Sequence, residues 1–426
     1  MPSTFLFLLA TLFLSLNFFR PFGLAVSDWL YFGSLSFAFM ETFTVNRCNA
    51  PCWWHNRFLW TVALILFGAI ISTMNLKNWG VAILEIFQQV FVITLFVSLA
   101  WILVRRGKIN TIILAFILSG VFTAGVVLVD NLTSSRLGPM LSGTPDIQLW
   151  GRFAGTLGHP NKLGYFLALT TLLSMGYLLN IKNSSAALLL RLLWCSLIAI
   201  QGFGIYLSGS MTAYLGLLTG VVFLAFSSRR IPVRTTRVFG MVAMGTILSI
   251  WFMLGFTLIP RGSLPAQGSN FITQALVRIQ SSTAESRLTT YSQAWNQIVR
   301  NPWFGVGYDQ ISTSSISPEA RFLDYSVHNT LLQIWYVGGL FAFAGWLAIY
   351  IWVGWMALSL LRRRRQNKLS PLMAGLASAV LAILLMDQFQ DAIYQREKWL
   401  VIGLMAGAVW ERIRTEQAAK AERSYI

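Results

Sequence analysis

Apolar runs long enough to cross about 30 Å of hydrocarbon recur along the chain, at roughly 4–19, 28–45, 58–74, 81–104, 110–130, 161–180, 187–207, 210–227, 238–258, 328–361, 371–388 and 399–411. They predict about twelve membrane-spanning helices and two long polar interruptions, 131–160 and 259–327. Within the second, ESRLTTYSQAWNQIVRNP places Leu288, Tyr291, Trp295 and Ile298 on one stripe of a short amphipathic helix, leaves Arg287 off that stripe, and stops at Asn301-Pro302. A turn, Phe304-Gly305-Val306-Gly307-Tyr308, and a polar loop follow, and His328-Asn329 then opens a new apolar run. The first run has no charged leader and no small-residue cleavage site, so it reads as a retained span. The expected fold is an all-α polytopic membrane protein, one integral domain over residues 1–426.

Composition excludes a soluble core: 56% of residues are hydrophobic, 11% are charged and the mean hydropathy is +0.62. The net charge of +17 would suggest nucleic acid in a soluble protein, but here the basic residues gather in short loops between spans. With both termini in the cytoplasm, about 20 of the 32 Lys and Arg residues fall on the inner side, including the run Arg362 to Arg365. That orientation puts 131–160 and 259–327 on the outer face, the periplasmic side of the inner membrane in a Gram-negative bacterium. Three cysteines make no disulfide framework, and Cys48, Cys52 and His55 lack a fourth ligand for a metal.

The chemistry-bearing residues collect on the predicted outer side. GRFAGTLGHPNKLGYFLAL brings Arg152, His159, Asn161 and Lys162 to the mouth of the sixth span, with Pro160 in its first turn. The free N–H groups and positive dipole end of a helix start suit an anion. Arg152, Lys162 and Arg287 have no topological reason to be there; a guanidinium holds phosphate oxygens by paired charge-assisted bonds, while headgroup contact or pairing with Glu285, Asp309, Glu319 or Asp324 is the plainer use. His328 is a candidate base for a hydroxyl nucleophile, or an interfacial cap. Asp387 and Asp391, four apart, are candidate acceptor contacts, or one face of a solvated loop helix near Arg396 and Lys398. The sequence has no Asp-x-Asp pair, Walker A loop, His-Glu-x-x-His or Gly-x-Ser-x-Gly, so neither a metal nor another cofactor is indicated.

Three stretches together, GRFAGTLGHPNKLGYFLAL, SRLTTYSQAWNQIVRNPWFGVGYD and HNTLLQIWYVGG, resemble the bacterial O-antigen ligase and O-antigen polymerase superfamily in order and in spacing relative to the spans. The resemblance implies a GT-C-like, metal-independent glycosyltransferase using an undecaprenyl-diphosphate-linked glycan donor. It implies catalytic roles for His328 and Arg287 and donor-diphosphate binding by Arg152, Arg287 and Asn161; position alone adds Lys162 to the donor site and His159, Asp387 and Asp391 as candidate acceptor or loop contacts. A ligase passes the glycan to a lipid A-core hydroxyl, a polymerase to another lipid-linked repeat, and a third type to protein. In many members a Ser-Arg-Gly follows the seventh or eighth span, whereas this chain has Ser208-Gly209-Ser210-Met211, with no basic residue. The ligase is the preferred reading; the rival of another class is a transporter of an anionic solute, which the clustering of polar residues at one face disfavours.

Overall fold

The computed structural model describes residues 2–15, 26–44, 52–75, 78–133, 135–142, 152–181, 187–227, 284–310, 327–362 and 370–424. The helices are α1 (Pro2–Leu12), α2 (Val26–Thr44), α3 (Cys52–Ser72), α4 (Trp79–Arg105), α5 (Ile109–Thr133), α6 (Leu137–Ser142), α7 (Pro160–Asn180), α8 (Ala187–Ser208), α9 (Met211–Ser227), α10 (Ala284–Arg300), α11 (Thr330–Arg362), α12 (Pro371–Met386) and α13 (Arg396–Ser424). Eleven of the predicted apolar runs fall on helices; the run at 238–258 and most of the loop at 259–327 lie outside the described residues. Among the described residues, five helices are long and apolar enough to cross a membrane, in α4, α5, α7, α8 and α11. Helix α3 starts earlier than its apolar run and takes in Cys52 and His55, while Cys48 is outside the described residues.

Helix α12 packs between α7 and α9, α13 lies along α4, and α11 along α3. At the α7–α12 crossing a Cβ on Gly176 would sit 2.9 Å from the Gly375 Cα, so two glycines bring the backbones together. Helix ends that the sequence assigns to one side meet at one end of the bundle: Arg396 pairs with Asp28, Asn78 N donates to Asp309 Oδ2, and Arg152 Nε donates to the Ser208 carbonyl. At the other end, Arg106 donates to Ser3 Oγ.

Helix α11 is broken at Gly339, where φ is 67°. A break strands carbonyls and amides that hydrocarbon cannot satisfy, so another part of the protein must. The turn after α10 does this: Val306 N donates to Tyr336 O at 2.9 Å, Gly307 N to Val337 O at 3.1 Å, and Leu340 N to Pro302 O at 2.9 Å. The fit is close, since a Cβ at Gly339 would meet Trp303 O at 2.1 Å and one at Gly305 would meet Val337 O at 2.5 Å. NPWFGVGY and YVGG are therefore two halves of one joint.

Helix α10 is amphipathic as expected, but its packed stripe differs. Thr290, Ala294 and Ile298 are buried, whereas Trp295 is 50% exposed and meets Trp335 edge-on at 5.8 Å. Alanine at 294 allows close approach to α11, which pushes the larger indole to the margin.

Candidate active site

Two helix starts form the centre of the site. Helix α7 begins with Pro160 at N1, and His159 caps it: its Nδ1 accepts from Asn161 N at 3.1 Å. With Nδ1 accepting, the neutral imidazole carries its proton on Nε2. Burial, reinforced by the charges of Lys162, Arg152 and His328, pushes His159 down to about 4. Lys162 follows in the first turn of α7. Arg152 bridges two elements, with Nε donating to Ser208 O at 2.8 Å and Nη2 to Asn161 Oδ1 at 2.5 Å. It thus lies against the Ser208-Gly209-Ser210 turn, bringing a cation to the very turn whose own sequence lacks one.

Helix α11 begins beside this pair. Asn329 Oδ1 accepts from Leu332 N at 2.9 Å, so Asn329, not His328, is the cap. His328 has φ of 51°, and is the one non-glycine residue at positive φ among those described. That conformation costs about 1–2 kcal/mol and persists because its surroundings hold it. On the α10 side, Tyr291 Oη donates to the His328 carbonyl at 3.3 Å. Toward the late loop, Thr330 N donates to Asp387 O at 2.8 Å, and Thr330 Oγ1 donates to Gln390 O at 2.9 Å and accepts from Ala392 N at 3.1 Å. Arg287 is one turn before Tyr291 in the same helix; its side chain lies outside what the structure describes.

Asp387 and Asp391 do not share a helix face, because residues 387–395 form turns, bends and irregular chain between α12 and α13. Nor is Asp387 solvated. It is fully buried at the end of α12, accepting from Tyr165 Oη at 2.9 Å, Lys398 Nζ at 2.9 Å and Tyr350 Oη. Lys398 is 1% exposed and also lies over the Trp346 and Trp399 rings at 4.8 and 5.0 Å. This knot ties α7, α11, α12 and α13 together. The polar sequence suggested a solvated loop because its charges pair with one another out of water, which single-residue polarity does not reveal.

Asp391 instead lines a cavity of about 150 Å³ together with Lys162, Tyr394, Gln395, Arg396 and Glu397. Burial pushes the Asp391 carboxyl above its ordinary value. The structure therefore brings Arg152, His159, Asn161, Lys162, His328 and Asp391 into one region and sets Asp387 beneath it. Sequence reading missed Tyr291 as the grip on His328 and Gln395 as a lining residue; Tyr291 had a signal in its place on the amphipathic stripe, Gln395 had none. Among the described residues, no three His, Cys, Asp or Glu side chains gather as metal ligands.

Fold and site together define a helical membrane protein with charged and polar side chains gathered around two helix starts at one end of its bundle. Residues 194–347 match the family model described as O-antigen ligase (Wzy_C), which supports the superfamily to which the three motifs pointed. The match takes in most of α8, all of α9 and α10 and the broken part of α11, while the Arg152–Lys162 motif precedes it. No curated protein matches the chain.

Proposed function

We propose that the protein is an O-antigen ligase: a metal-independent glycosyltransferase moving a glycan from undecaprenyl diphosphate to a lipid A-core hydroxyl at the periplasmic face of the inner membrane. The observation that carries this reading is the convergence of three sequence-distant motifs: Tyr291 Oη donates to the His328 carbonyl at 3.3 Å, and Asp387 joins the starts of α7 and α11 by accepting from Tyr165 Oη at 2.9 Å and, through its carbonyl, from Thr330 N at 2.8 Å. The acceptor oxygen bonds to the anomeric carbon, its proton passes to the His328 imidazole, and the old glycosidic electron pair leaves on the diphosphate. Arg152, Lys162, Asn161 and the α7 N-terminus hold that diphosphate, and Arg287 meets the charge developing on it. Apolar helix faces keep the polyprenyl tail in the bilayer.

The test separates binding from transfer. His328→Asn, which suits positive φ, should lower kcat about 10²–10⁴-fold with donor binding retained. Arg287→Ala should abolish transfer in a chain that still folds. Normal transfer by either variant removes that residue from the mechanism, and a pure donor-binding defect in His328→Asn would make His328 a positioning group.

A further inference from the structure

The cavity of about 150 Å³ beside the start of α13 has no task in the steps above. It is roughly ten times the ~15 Å³ that one water needs. Two carboxylates, Asp391 and Glu397, line it and disfavour a diphosphate, and of its two cations Arg396 is already held by Asp28 at 2.5 Å. Gln395 is 6% exposed, and neither its amide oxygen nor its amide nitrogen has a partner among the described residues. A buried amide with both ends unsatisfied calls for a ligand that donates and accepts at neighbouring atoms, as a vicinal diol does. The cavity also adjoins the base, because Thr330, two residues after His328, is bonded to the backbone on both sides of Asp391.

We propose that this cavity is the subsite for a neutral, hydroxyl-rich sugar ring of the acceptor, read by Gln395 and Asp391. Its meaning rests on the glycosyl-transfer reading. The sugar's hydroxyls complete the Gln395 amide and donate to or accept from the Asp391 carboxyl, while one more hydroxyl is presented toward His328. Lys162 lines this cavity and also belongs to the proposed diphosphate site.

The test is direct binding to the purified full-length protein, read by saturation-transfer NMR with a panel of neutral hexoses, heptoses and N-acetylhexosamines. Inorganic pyrophosphate is the competitor. At least one sugar should bind, pyrophosphate should not displace it, and Gln395→Leu and Asp391→Ala should each weaken it about tenfold. Should either variant unfold, Gln395→Glu and Asp391→Asn, which keep size and shape, carry the test and should weaken binding in the same direction. Binding of no sugar, binding unchanged in the variants, or displacement by pyrophosphate overturns the proposal. Failure of the transfer reading looks different: the wild-type protein would bind sugar through Gln395 yet transfer nothing.

Discussion

The buried pair of Asp387 and Lys398 yields the sharpest stability prediction. The carboxylate has three donors and no access to water, and the ammonium is 1% exposed against two indole rings. Lys398→Met keeps volume and ring contact but strands the carboxylate on two phenols; breaking a buried pair from one side costs about 3–5 kcal/mol. Asp387→Asn strands the ammonium at similar cost. At about 2 °C per kcal/mol for a large chain, each single change should lower Tm by about 6–10 °C. The double variant strands neither charge, so its loss should fall short of the summed singles by about 2–3 kcal/mol. The assay is thermal unfolding in one detergent at one scan rate, followed by tryptophan fluorescence, since Trp346 and Trp399 report on the knot itself. Shifts below about 1 °C for the singles, or strictly additive losses, would refute the claim that this pair locks α11, α12 and α13.

Three further outcomes follow from the same geometry. His159 resists protonation in the folded protein, at about 4 against an ordinary 6.5, so the unfolded chain binds the extra proton between those values; stability is full above pH 6.5 and declines by up to about 3 kcal/mol as pH falls toward 4, a slope that His159→Gln should remove from a series of melting curves. Gly305→Ala and Gly339→Ala place a Cβ at positive φ against backbone, at 2.5 and 2.1 Å, and should lower expression of folded protein in detergent extracts far more than Gly125→Ala, where the space is open. Tyr291→Phe removes the bond to the His328 carbonyl at a cost of about 1 kcal/mol, and should depress kcat with little change in donor KM; a wild-type kcat would show that His328 keeps its place without Tyr291.

Much of the architecture was legible in the sequence. Apolar runs located the described helices, five of which are long and apolar enough to cross a membrane, and turn chemistry marked His159-Pro160-Asn161 and His328-Asn329 as helix starts, although the second cap is Asn329. The joint between NPWFGVGY and YVGG was not legible, because it is a long-range backbone pairing and glycines alone do not name their partner. The same limit hid Arg152 against Ser208: a local reading registered the missing basic residue in the Ser208-Gly209-Ser210 turn but not the guanidinium arriving from 56 residues earlier. Asp387 and Lys398 misled for the opposite reason. Eleven residues apart, they neutralise each other in the interior, whereas hydropathy scores each as solvated.

The most direct test of the central claim is transfer in vitro: purified protein, an undecaprenyl-diphosphate glycan and rough lipopolysaccharide, with EDTA present and no ATP. The account predicts a ladder of glycan on the lipopolysaccharide, lost in Arg287→Ala and His328→Asn. Bare lipopolysaccharide with an intact donor, or with a lipid-linked glycan that grows longer instead, would contradict it.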